Sequence, residues 1–129
     1  MSEPESPPLE DWRPLTSAER DLVTLWLAEW NAATGDDTQL AVDAVARTSC
    51  ACGKCATFDV NPLELPVVKS GLRPFDVGGE ATSEVSGEPV GLVVFESGQT
   101  TIFEAFPHTD AVVDLAALKW EFYTTKTLK

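Results

Sequence analysis

Between Thr16 and Gly35 the apolar positions recur at helical spacing. Leu22, Val23, Leu25, Trp26, Leu27, Trp30 and Ala33 mark out one broad face. Thr16-Ser17-Ala18-Glu19 precedes them as a capping box, in which a hydroxyl and a carboxylate three residues on satisfy first-turn amides that have no partner within the helix. Gly35 suits the left-handed residue that closes a helix. The same reading predicts a second helix to about Arg47, capped by Asp36, Asp37 or Thr38, with Leu40, Ala41, Ala44 and Val45 inward. The short link between them makes an antiparallel helical hairpin.

Past residue 55 the period changes to two. Ala56-Thr57-Phe58-Asp59-Val60 alternates as a half-buried strand does. Residues 61–80 carry Pro62, Pro66 and Pro74 with Gly71, Gly78 and Gly79, which predicts an irregular connection with one short strand at Val67–Lys69 and a turn at Gly78-Gly79. The clearest β pattern is 90–96 and 100–106 flanking Ser97-Gly98-Gln99, a hairpin with a Gly-containing turn, to which Glu80–Ser86 adds a strand. Asp110 can cap a short helix holding Val112, Val113, Leu115, Ala116 and Leu118, and Lys119–Thr124 fits either a last strand or more helix. Helices first and strands afterwards mean α+β: an N-terminal helical hairpin packed on a three- to five-stranded, mainly antiparallel sheet, with one late short helix. Residues 1–13 read as an acidic, Pro-rich tail pinned by Trp12, and residues 14–129 as a single domain.

Charge narrows the function classes. Twenty-one acidic against nine basic residues leave a net charge of −12, without the clustered basic face that phosphate binding needs. The same balance opposes an anionic membrane surface, and no apolar run reaches the roughly 18 residues of a membrane span. The acidic N-terminus is not a secretory signal, so the expectation is a cytoplasmic protein whose cysteines stay reduced or hold a metal.

All three cysteines lie in Cys50-Ala51-Cys52-Gly53-Lys54-Cys55. Cys52 and Cys55 have the Cys-x-x-Cys spacing that brings two sulfurs to one tetrahedral zinc, Cys50 offers a third ligand, and His108, the only histidine, or an aspartate a fourth. The zinc reading lacks the usual second Cys/His pair. Cys52-Gly53-Lys54-Cys55 also resembles the dithiol of thioredoxin-like proteins, but there a strand precedes the motif and a helix follows, the reverse of the order predicted here. The simplest alternative is a tight turn of small residues with sulfurs packed as modest hydrophobes. Together with a later hairpin such as Gly91-Leu92-Val93-Val94-Phe95-Glu96-Ser97-Gly98, the Cys-x-Cys-Gly segment resembles small uncharacterised bacterial proteins; the resemblance implies no activity.

Other constellations have plain readings. His108 beside Asp110 lacks a nucleophile motif such as G-x-S-x-G. Glu96 and Glu104, on the two hairpin arms, form an acid/base pair only if they share a face, and solvent-side carboxylates are the simpler account. The Trp26–Trp30 pair reads as core, and no phosphate-cradling glycine motif occurs. The sequence therefore points to a non-enzymatic acidic interaction domain, compatible with a homodimer, whose partner is a basic protein surface; an inhibitor or immunity-type protein is the specific version. The rival is a zinc- or thiol-dependent protein centred on Cys50, Cys52, Cys55 and His108.

Overall fold

A computed structural model of the chain describes residues 12–48, 56–63, 65, 73–97, 100–108 and 113–124. The elements are β1 (Arg13–Pro14), α1 (Ser17–Thr34), β2 (Val45–Thr48), β3 (Ala56–Asn61), β4 (Val77–Ser83), β5 (Pro89–Ser97), β6 (Thr100–Pro107) and β7 (Leu118–Thr124). The seven strands among the described residues join one sheet in the order β1-β2-β3-β6-β5-β4-β7, every neighbouring pair antiparallel. This overturns the helical hairpin on three to five strands: among the described residues there is one α-helix, and it packs on a larger sheet.

The first helix forms as its sequence dictates. Thr16 Oγ1 accepts from the Glu19 amide at 3.1 Å, the Glu19 carboxylate accepts from the Thr16 amide at 2.9 Å, and Gly35 closes the helix at φ 85°. Leu22, Val23, Trp26, Leu27 and Trp30 are buried against the sheet. Trp26 stacks on Trp30 at 5.5 Å and meets Phe103 edge-on at 5.6 Å, and Phe103 stacks on Phe58 at 5.5 Å, so both tryptophans are core. The Trp26 indole donates to the Val77 carbonyl at 2.7 Å, which satisfies a buried polar group and fixes helix to sheet.

Where the second helix was expected, the chain is a strap followed by a strand. The Asn31 side chain binds the Thr38 backbone twice, donating to its carbonyl at 2.9 Å and accepting from its amide at 3.1 Å. Leu40, Ala41 and Ala44 still pack inward, but along non-helical backbone. Val45–Thr48 then pairs with β3, burying Ala46 and setting Arg47 opposite Asp59. Tertiary pairing outweighs a weak helical preference over so short an apolar run.

The other corrections lie nearer the C-terminus. Among the described residues of the expected late helix there is a 3-10 turn at Leu115–Ala117, Asp110 and Val112 lying outside them, and Leu118–Thr124 is the strand β7. Gly78 and Gly79, expected in a turn, lie inside β4 opposite Tyr123 and Phe122. A β-carbon at Gly79 would stand 3.1 Å from the Phe122 ring, so the missing side chains let β7's aromatics lie flat on β4. The hairpin of β5 and β6 forms as expected, as does β3, which Pro62 follows. The proposed strand at Val67–Lys69 lies outside the described residues.

Candidate functional site

The cysteines nominated from sequence, Cys50, Cys52 and Cys55, lie outside the described residues, as does Asp110. His108 is described and exposed. Its Nε2 lies 3.4 Å from Glu80 Oε1, its ring packs edge-on against Phe106 at 5.4 Å, and its amide donates to the Pro89 carbonyl. The imidazole is thus turned toward β4 and β5, on the side of β6 away from the strand that follows Cys55. Among the described residues no group of three His, Cys, Asp or Glu side chains is arranged to hold a metal.

Glu96 and Glu104 fall on opposite faces. In the β5–β6 register Val94 faces the core beside Phe103, which puts Glu96 on the core side and Glu104 on the outer side. Glu96 lies 3.9 Å from Arg73 instead, so no acid/base pair forms. Trp12 is tucked into the domain, with the Arg47 guanidinium 4.7 Å above its ring.

Two arginines turn inward. Arg13 grips Glu19 through two hydrogen bonds of 2.7 Å, and Arg47 donates to Asp59 at 2.8 Å; both carboxylates are buried. Burial opposes ionisation of Glu19, but the Arg13 bonds and the Thr16 amide outweigh it and hold the carboxyl below its ordinary range. The second oxygen of Asp59, Oδ1, is buried with no hydrogen-bond partner among the described residues. Arg13 and Arg47 are thus engaged with buried acids, while Asp21, Glu84, Asp114 and Glu121 are exposed.

One of these acids, Asp21, lines a groove that the sequence did not announce, and two others, Asp114 and Glu84, adjoin the turn that walls it. About 290 Å³ in volume, it runs between the N-terminal half of α1 and the 3-10 turn with β7, over Leu22, Leu25, Leu115, Leu118 and Trp120. Leu25 belongs to the helix's apolar face, yet it is 51% exposed, because the sheet covers only part of that wide stripe. Asp21 lines the groove; Asp114 caps its 3-10 turn by accepting from the Ala116 amide at 3.1 Å, and the Glu84 amide ties into the same turn at the Ala117 carbonyl, 2.7 Å away. The only sequence sign of this site was an apolar helical face wider than one packing partner needs.

A second groove of about 370 Å³ separates α1 from the 38–40 strap, with Arg20 at its side. Arg20 reaches the Val42 carbonyl at 3.5 Å. No helix among the described residues is long and apolar enough to cross a membrane. In comparisons with known proteins, no family model, no curated protein and no solved structure matches this chain.

Proposed function

We propose that the protein is a non-enzymatic binding module whose groove between α1 and β7 takes a basic, partly apolar segment of another protein. The observation that carries this reading is the combination of exposed Leu25 and half-buried Leu115, Leu118 and Trp120 with Asp21 in the groove wall and exposed Asp114 and Glu84 attached to the adjoining 3-10 turn. A leucine or aromatic side chain of the partner removes apolar surface from water in the groove, and its lysines or arginines meet the acids at the rim, as in a hot spot ringed by polar contacts. The net charge of −12 adds long-range steering toward a basic target. An inhibitor that covers a basic cleft is the version in which such steering matters most.

The test is selection from a random-peptide display library on the full chain. Enriched peptides should combine Lys or Arg with Leu, Phe or Trp. Leu25→Asp should abolish their binding, and Asp21→Lys with Glu84→Lys should weaken it by about tenfold or more. Enrichment of peptides without basic residues, or binding indifferent to these changes, would refute the reading.

A second reading keeps zinc on Cys50, Cys52 and Cys55. Buried Asp59 Oδ1, in the strand that follows Cys55, favours it as an oxygen suited to a cation, and it supplies the aspartate alternative to His108. Elemental analysis of chelator-free protein decides this: about one zinc per chain, with thiols protected until unfolding, supports the reading. Freely reactive thiols without metal end it.

A further inference from the structure

We propose that two copies of this chain pair edge to edge through β7, antiparallel and centred on Trp120, so that the two sheets become one. β7 ends the strand order, and among the described residues no strand covers its outer edge, which leaves alternate amides and carbonyls along seven residues open to another strand. The strand alternates cleanly. Leu118, Trp120 and Phe122 lie on the core side, half-buried, while Lys119, Glu121 and Tyr123 are exposed on the other.

The charges choose both the occupant and the register. About a two-fold axis, a strand centred on Glu121 would set Glu121 against its own copy. One centred on Phe122 would set Glu121 against Tyr123 and leave Lys119 opposite residue 125. Centring on Trp120 sets Lys119 of each copy opposite Glu121 of the other, twice per dimer, with Leu118 opposite Phe122 and Trp120 opposite Trp120. Lysine or glutamate alone on an edge strand repels a second copy; the Lys-x-Glu order is complementary to itself.

A further observation points the same way. Within one chain Glu121 stands directly opposite Glu80, while Lys119 stands opposite Thr82. Like charges directly across a strand pair are unfavourable. His108 Nε2 lies 3.4 Å from Glu80, but Glu121 has no basic residue opposite it on its own sheet; in the proposed dimer the second copy's lysine comes to the outer side of Glu121. Leu118 and Trp120 belong to both the groove and the seam, whereas Lys119 and Glu121 point to the other face of β7, so charge changes at 119 and 121 test the dimer without altering a groove-lining residue.

Sedimentation equilibrium of the full chain at about 10–100 μM should show a dimer. Lys119→Glu or Glu121→Lys alone turns two attractive pairs into two repulsive ones and should raise the dissociation constant at least about tenfold. The double variant Lys119→Glu with Glu121→Lys restores opposite charges and should recover the dimer. Thermal melting of dilute protein checks the fold, and there Glu121→Lys should not destabilise, because it removes the repulsion from Glu80. A monomer throughout that range, a dimer indifferent to either reversal, or a double variant that fails to recover would each overturn the proposal.

Discussion

At one end of the sheet β1 is two residues long, contains Pro14, and is tied down by Arg13, which reaches Glu19 on α1 and Thr48 Oγ1 on β2. At the other end β7 runs seven residues without proline and carries Trp120, Phe122 and Tyr123. Both strands close the same sheet, yet one is short and interrupted by proline and the other is long and regular. Short edges, proline and charged side chains protect against unwanted pairing, and β1 uses all three. β7 uses charge alone, in the Lys-x-Glu order on which the proposed dimer rests.

What seats each edge differs as well. Beyond its pairing with β2, β1 is held by an ion pair and a helix cap among residues 13–19 and by the Arg13 bond to Thr48. β7 is held by packing: its aromatics lie over Gly78 and Gly79, and its core-side residues back onto α1. Trp26→Ala gives the largest effect, because both edges depend on the core that α1 fills. It should cost about 3–5 kcal/mol, read as a lower denaturant midpoint. The loss should appear at both edges together; protection from hydrogen exchange that survives in β7 would mean the edges fold independently.

Gly79→Val separates the edges. A side chain at that position meets the Phe122 ring, and the overpacking should cost about 1–3 kcal/mol. Hydrogen exchange should then quicken in β7 while β1 and β2 keep their protection. Faster exchange at β1 instead would show that β7 is not seated on the glycines.

How far each part was legible follows from the range of the contacts that decide it. α1 could be read because its cap, its apolar spacing and Gly35 are all local, and β5 with β6 because alternation and a turn lie within one short stretch. Residues 36–47 misled because Leu40, Ala41 and Ala44 are inward on either a helix or a strap, and the deciding contacts come from Asn31 and from Val60 opposite Ala46. Gly78 and Gly79 read as a turn because glycine breaks local pattern, whereas the aromatics that explain them arrive some forty residues later. The acidic groove was hidden for the same reason. Leu25, Leu115 and Trp120 become neighbours only when β7 joins the sheet at β4, and a lone strand pattern does not say which edge it takes.

The smallest effect expected belongs to the β1 edge and depends on pH. Glu19 is buried, which by itself would raise its pKa, but the Arg13 bonds and the Thr16 amide bring it below the ordinary value. A carboxyl depressed on folding stabilises the protein above its unfolded pKa of about 4.3, and that contribution fades as pH falls through the lower, folded value. Glu19→Gln keeps the side chain's reach to the cap but loses the charge that Arg13 holds, and should cost about 1 kcal/mol at neutral pH. As pH drops below about 4 the wild-type and Gln proteins should converge, since the wild-type carboxyl is then being neutralised too. The Gly79→Val penalty contains no titrating group and should stay constant over the same range. Urea midpoints at several pH values measure both. A Glu19→Gln penalty that persisted undiminished into acid would place the hold on β1 in packing, as at β7, and remove the contrast between the two edges.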